Sequence, residues 1–451
     1  MGWNYALLWL VSLPLEIIAA SITITFWEGS RDINPTVWVT IFFVAITVIN
    51  LFGVKGMYLA KSPQPPEHPT KTPPGYGEAE FVFSIIKVIA VIGFIILGII
   101  IDCGGVPTDN RGYLGARTWY EPGAFNNGFK GLCSVFITAA FSLSGTELVG
   151  LAAAETRNPR IELPKAIKQV FWRILLFYMV SLTIAGLLVP YDDPRLLGSS
   201  STDANASPFV IAIRDASVSG LPSVMNAVIL IAVLSVGNSS IYASSRTLAA
   251  LAEQGQAPKS FGYIDRAGRP LVSILVSSAF GLLCFVVAAG DDAQSTAFTW
   301  MLAISGLSLI LAWLSTCLCH IRFRAAWKAQ GRRLDELAFK SQTGVVGSYI
   351  GLIFNCLVLV AQFWIGAWPV GYEDMTVGEQ VLSFFQAHLA APVVILCYVV
   401  FKVWKKTSIQ RAATIDITTG TREIDLPRIL EEERIERQTW PAWKRWYRFF
   451  C

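Results

Sequence analysis

Ten stretches of the chain are apolar enough and long enough to cross a bilayer, and they set its organisation. They fall at about 3–27, 36–54, 81–101, 131–155, 171–190, 222–246, 271–290, 296–320, 347–368 and 379–403. A hydrocarbon core of about 30 Å needs roughly 20 helical residues, so each predicts one membrane-spanning helix. The connecting segments alternate in charge. Basic ones hold Arg157, Arg160, Lys165 and Lys168, then Arg246, Lys259, Arg266 and Arg269, then Arg322 to Lys340, then Lys402, Lys405 and Lys406. Between them lie Asp192 and Asp193, Asp291 and Asp292, Glu373 and Asp374. Positive charge collects on the cytoplasmic side. Both ends of the spanning region, the 54–80 loop and the tail after 403 are therefore expected inside. The first apolar run is too long for a cleavable leader and has no basic segment before it.

Composition sharpens this picture. The 451 residues are 53% hydrophobic and 15% charged, with a mean hydropathy of +0.51, against about 25% charge in soluble chains. The reading is an all-α integral membrane protein. The net charge of +4 is spread over loops and leaves no nucleic-acid footprint. The eight cysteines form no CxxC pair, and most sit in apolar runs. No zinc motif, phosphate loop or nucleophile–base pair occurs, so neither a metal, a cofactor nor an enzyme activity is expected. Asn205-Ala206-Ser207 is a glycosylation sequon on the outer side, followed by Pro208. The tail ends in an amphipathic, aromatic and basic stretch suited to a membrane interface.

Ionisable residues inside a span are costly and mark cavities or partners. Three stand out: Glu16 in the first span, Lys87 in the third and Glu147 in the fourth. Glu16 could instead make a structural hydrogen bond to a neighbouring helix, and Lys87 is close enough to a membrane face to snorkel. Around Glu147 the sequence "FSLSGTELVG" places Ser142, Ser144, Gly145 and Thr146 together. Glycine permits unusual backbone, and hydroxyls can satisfy groups freed by a break. A break there would offer backbone N–H groups to an anionic substrate group, with Phe141 able to cover it; a plain small-residue packing stripe is the alternative. The sixth span carries Gly237, Asn238, Ser239 and Ser240, which could line a cation or substrate site or bond between helices. The eighth, "WMLAISGLSLILAW", reads as a packing face.

The stretch "FSLSGTELVGLAAAETRNPRIELPKAIKQVFWRILLFY" closely resembles fungal amino-acid permeases of the amino acid–polyamine–organocation superfamily. So do "GWNYALLWLVSLPLEIIAASI", "NAVILIAVLSVGNSSIYASSRTLAALAEQGQAPKSFGYIDRAGRP", "TGTREID" and the final "FFC". The resemblance implies a LeuT-type inverted-repeat transporter fold of twelve helices, with helices one and six broken at the substrate site. It also implies proton-coupled amino-acid uptake by alternating access, mostly at the plasma membrane. Amino acid, protons and the bilayer are the implied partners, with sorting or ubiquitin machinery at the cytoplasmic tail. Carried over by position, Phe141 is the aromatic gate. Ser144, Gly145 and Thr146 form the helix-six break at the substrate, and Glu147 is the acidic residue beside it. Lys87 matches a lysine that stands where related transporters hold sodium, and Asn238, Ser239 and Ser240 fall by the eighth-helix part of that site. Glu147, Lys87 and Glu16 become the proton-coupling candidates, and Cys451 the lipidated terminus.

Two departures follow from the same resemblance. "GWNYALLW" is similar to the start of the family's third helix, so about ten of twelve helices are expected here, with the permease domain over 1–403 and the tail over 404–451. An amino-acid receptor that does not transport, or a non-functional truncated product retained in the endoplasmic reticulum, are the alternative readings. The second departure is 57–75, which holds six prolines in nineteen residues, where the family runs directly from "GVKG" to "YGEAEF". A proline-rich ligand segment is one reading, since Pro66 and Pro69 give PxxP. A translated intron is the favoured one. The genetic code allows Gly56-Met57-Tyr58 to contain the donor GTATGTA and Pro74-Gly75 an acceptor CAG, in frame. Sequencing the transcript is expected to show the codons for 57–75 spliced out of the working message. A genomic codon other than GGT at Gly56 would remove the proposed donor.

Overall fold

The computed structural model describes residues 1–51, 76–151, 159–196, 207–266, 268–337, 340–341, 343–419 and 441. The insertion at 57–75, residues 197–206 with Asn205 and Ala206 of the sequon, and the terminal Cys451 lie outside the described residues. The described residues are helical, with no strand among them. In chain order the helices used below are α1 (Gly2–Ile24), α2 (Pro35–Leu51), α3 (Tyr76–Asp102), α4 (Gly128–Ser134), α5 (Phe136–Ser142), α6 (Leu148–Leu151), α7 (Pro159–Ile174), α8 (Ser181–Leu188), α9 (Pro208–Asp215), α10 (Leu221–Glu253), α11 (Leu271–Gly281), α12 (Asp291–Ala329), α13 (Gly344–Ala367), α14 (Val377–His388) and α15 (Ala390–Lys405). This is an all-α architecture of the membrane-spanning kind.

Seven helical segments among the described residues are long and apolar enough to span, or eight if the bent pair α14–α15 counts as one. Two shorter apolar segments, Pro35–Leu51 and Gly128–Ser142, occupy the places of the remaining two expected spans. The first is cut short because the description stops at Leu51. The second is short because the span is broken, as the Ser/Gly/Thr cluster suggested. α7 runs into α8 through a wider π-helical turn, Leu175–Val180.

Burial separates the centre from the lipid face. In α1, 83% of the most apolar window is buried, against 17% in α3 and 6% in α13. α1 is therefore the axis of the bundle. Its Leu13, Ile17 and Ile18 pack with Val39, Phe42 and Ile46 of α2, Ile241 of α10 and Ile274 of α11. α3 turns Val82, Ile85, Ile89, Ile92, Ile96 and Ile99 outward, a three-to-four residue stripe that suits acyl chains. Small residues bring helices close. A Cβ at Gly306 of α12 would lie 2.5 Å from the Ile137 side chain and 2.9 Å from its carbonyl oxygen, so the α12 face is a packing face, as its sequence suggested. Beyond α15, the chain returns to α12: Gln330 Nε2 donates to the Ile415 carbonyl at 2.8 Å, and Ile417 is buried with Ala326 and Trp327.

At the end of the bundle where α3 and α8 finish, an ion network ties three segments. Arg111 pairs with Asp109 at 2.7 Å, and Arg195 with Asp193 at 2.6 Å and with Asp215 of α9 at 2.5 Å. Hydrogen bonds from Arg111 hold the Asp109 carboxyl below its ordinary range, and those from Arg195 do the same for Asp193. A depressed carboxyl pKa stabilises the fold above the ordinary value near ~4, and that contribution disappears as pH falls through the folded value. Arg195 is 37% exposed, so solvent screening limits the network to on the order of 1 kcal/mol. Arg195→Met is expected to lower thermal stability in detergent at pH 7 by that amount, with the deficit shrinking below about pH 3. A deficit that is constant with pH would refute the assignment.

Candidate functional site

The fourth span ends its helical run at Ser142 and resumes at Leu148. Between them Gly145 takes φ +87°, a left-handed conformation that L side chains avoid. A Cβ there would meet only ordinary contacts, Trp9 and Leu148 at 3.7 Å, so backbone and not space selects glycine. The break frees carbonyls, and neighbours satisfy them. Tyr178, in the π-helical turn between α7 and α8, donates its hydroxyl to the Ser142 carbonyl at 2.6 Å. The Ser144 amide closes a tight turn onto the Phe141 carbonyl at 2.9 Å.

Phe141, Ser144, Gly145, Thr146 and Glu147 are all half-buried, and the break places them together as the sequence suggested. α1 passes directly across them. Tyr5 donates its hydroxyl to Glu147 Oε1 at 3.2 Å, and Thr146 Oγ1 reaches Oε2 at 3.5 Å. Tyr5 meets Trp9 edge to face, with ring centroids 6.1 Å apart. Trp9 and Leu8 pack with Leu148, Leu151, Ala243 of α10 and Leu309 of α12. Thus one carboxylate beside an irregular backbone is held from a second helix, inside an apolar wall.

Lys87, Glu16 and the α10 patch form a separate region. Lys87 Nζ donates to Ser235 Oγ at 2.8 Å, one helical turn before Ser239. Ser235 Oγ in turn donates to Glu80 Oε2 at 2.6 Å, and Asn238 Nδ2 donates to Glu80 Oε1 at 2.9 Å. Asn50 of α2 donates to Asn238 Oδ1 at 2.8 Å. Asn238 therefore does join this cluster, whereas Ser240 bonds back to the Val236 carbonyl of its own helix at 2.9 Å, and Ser239 is half-buried on α10. Glu16 is buried, 8% exposed. Its Cβ lies 3.5 Å from where a Cβ of Gly237 would stand, and no hydrogen bond reaches its carboxylate among the described residues. The structural hydrogen bond weighed for Glu16 is thus not seen there.

Glu80, Ser235, Asn50 and Tyr5 went unnoticed in the sequence. Glu80 fell just outside a span drawn from 81, but α3 begins at Tyr76 and carries it into the packed region. The spacing of seven between Glu80 and Lys87, two turns on one helix face, was the available signal.

Helices of spanning length around a broken helix with a half-buried carboxylate fit a membrane transporter. The amino acid permease family model matches residues 1–60 and 74–413, and the chain belongs to that family. It is 53% identical over 456 residues to the amino-acid permease GAP5 of Candida albicans, covering 100% of this chain and 69% of that one. To the general amino-acid permease GAP1 of Saccharomyces cerevisiae it is 52% identical, covering 100% and 72%. To the histidine permease of the same yeast it is 48% identical, covering 97% and 69%. Its function is amino-acid transport across a membrane. Gly145→Ala is expected to cost about 1–2 kcal/mol of stability through the left-handed backbone alone, read as a lower unfolding temperature in detergent. Unchanged stability would show that the break does not depend on φ at this residue.

Proposed function

We propose that the chain carries amino acids by proton-coupled alternating access. The observation that supports this most directly is the Gly145 break, where Glu147 is held by Tyr5 of α1. On this reading the irregular backbone from Phe141 to Thr146 receives the substrate's charged backbone groups. Glu147 exchanges a proton as the break changes shape, because moving that proton changes the charge beside the substrate by one unit. Lys87 and Glu16 are further proton-coupling groups. Glu16 fits because an ionised carboxyl buried with no hydrogen-bond partner among the described residues is costly, so its proton occupancy would bias packing against α10. Asn238, Ser239 and Ser240 are read as part of the cation-site counterpart.

A broad substrate range is the favoured specificity, since GAP1 and GAP2 among the relatives are named general amino-acid permeases. A plasma-membrane location, lipidation of Cys451 and recruitment of sorting or ubiquitin machinery by the tail belong to the same proposal. So does the division into a permease domain over 1–403 and a tail over 404–451. The segment 57–75 is proposed to be foreign to the working protein, and the family match supports this by leaving out 61–73.

In cells or vesicles, Glu147→Gln is expected to abolish the rise of uptake at acidic outside pH. Tyr5→Phe removes one hydrogen bond to a charged group and is expected to slow uptake about tenfold. Normal proton-driven accumulation by Glu147→Gln would exclude the role given to Glu147.

A further inference from the structure

Five polar side chains from three helices form one continuous chain of hydrogen bonds, and it has a direction. Asn50 is oriented by donating to the Ile46 carbonyl at 3.0 Å and to Asn238 Oδ1 at 2.8 Å. With its oxygen so engaged, Asn238 must point its amide protons at Glu80. A serine hydroxyl has one proton, and Ser235 gives it to Glu80 while accepting from Lys87. Both branches, Asn50–Asn238 and Lys87–Ser235, therefore converge on the Glu80 carboxylate. Ser235, Asn238 and Asn50 are buried, at 2%, 0% and 4% exposure, and Glu80 and Lys87 are half-buried.

We propose that Glu80 is the proton-relay partner of Lys87, with the Ser235 hydroxyl as the bridge between them. This rests on the reading of Lys87 as a proton-coupling group. The Lys87 ammonium gives one proton to Ser235 Oγ as the hydroxyl proton of Ser235 moves to Glu80 Oε2. One N–H and one O–H bond break, and one O–H bond forms on each of Ser235 and Glu80. An ammonium–carboxylate pair becomes an amine and a carboxylic acid, with no change in net charge. The apolar surroundings make such a step feasible without water, because neither end leaves an isolated charge behind.

The geometry also gives the relay an exit. Glu80 lies four residues after Tyr76, where α3 begins. Lys87 lies two turns further in, about 10 Å along the helix. With the 54–80 loop on the cytoplasmic side, Glu80 is the end nearer the cytoplasm. The charged groups facing Lys87 from its surroundings are Glu80 on its own helix and Arg173 on α7. Glu16 approaches the same α10 segment from α1, at Gly237. Glu80, bridged to Lys87 through Ser235, is the acceptor in hydrogen-bonded register with it.

The test uses the whole chain in proteoliposomes holding a pH-sensitive dye. Net amino-acid uptake with its proton movement is compared with exchange of labelled for unlabelled amino acid. Exchange needs no proton delivery to the interior, so it reports folding and substrate binding. Glu80→Gln and Ser235→Ala are expected to lower the ratio of net uptake to exchange on the order of a hundredfold. Ser235→Thr, which keeps the bridging hydroxyl, is expected to restore it. An unchanged ratio in Glu80→Gln, or net uptake and exchange falling in equal proportion, overturns the relay and leaves the coupling reading standing. Unaltered chain whose uptake moves no protons overturns the coupling reading, and the relay with it.

Discussion

Inside a bilayer no water is available to a freed carbonyl or a side-chain charge, so each must find its partner within the protein. Most features of this molecule follow from that constraint. The fourth span can break at Gly145 only because Tyr178 caps the Ser142 carbonyl and because α1 brings Tyr5 to Glu147. Lys87 can sit along α3, one stripe of which faces lipid, because α10 supplies Ser235 and Glu80 lies two turns away. In water each of these bonds would be worth about 1 kcal/mol. In the spanning region the alternative is an unsatisfied group, so the same bonds decide which helix lies beside which.

Close packing supplies the other half of the arrangement. Without a hydrophobic drive between helices in lipid, small residues and van der Waals contact hold them. Gly306 lets α12 approach the Ile137 backbone, and Gly281 lets α11 approach Leu13 and Phe43. α1 is the beneficiary: it is covered on most sides, which is why it can carry a buried Glu16 and a half-buried Tyr5. Its central position also explains why its sequence has little amphipathic pattern to reveal a preferred face.

What could be read from the sequence was what depends on local chemistry. The spans follow from apolar length. The break follows from Ser142, Ser144, Gly145 and Thr146 gathered in one turn, since only glycine adopts the left-handed backbone at low cost. Glu16, Lys87 and Glu147 stand out because charge in an apolar run needs an explanation. The partners were not legible, because partnership is decided by which helices meet. Tyr5 looks like one more aromatic residue, and Ser235 like a packing serine. Glu80 was hidden by a boundary: hydropathy places the start of α3 where apolar residues begin, while the helix itself begins at Tyr76. The sixth-span patch was recognised as polar but not resolved residue by residue, so Asn238 and Ser240 received one role although they bond in opposite directions, one across helices and one along its own.

The two polar regions share a single scaffold. Tyr5 and Glu16 are eleven residues apart on α1, about 16 Å along its axis, and one serves the break while the other faces α10 beside Asn238. α1, α2, α10 and α11 share one apolar core. The upper part of the broken span instead packs in a different cluster, through Ile137 and Ala140 against Leu307 and Ile310 of α12. The other half, Leu148 and Leu151, packs on Leu8 and Trp9 of α1 and on Ala243 of α10, so the two halves of the broken span are anchored in different clusters. The proposed alternating access fits this division, because a site opens to one side and then the other only if part of it holds still. Here the α1–α2–α10 core carries Lys87's hydrogen-bonded partner and Glu16, and the broken span carries the glycine.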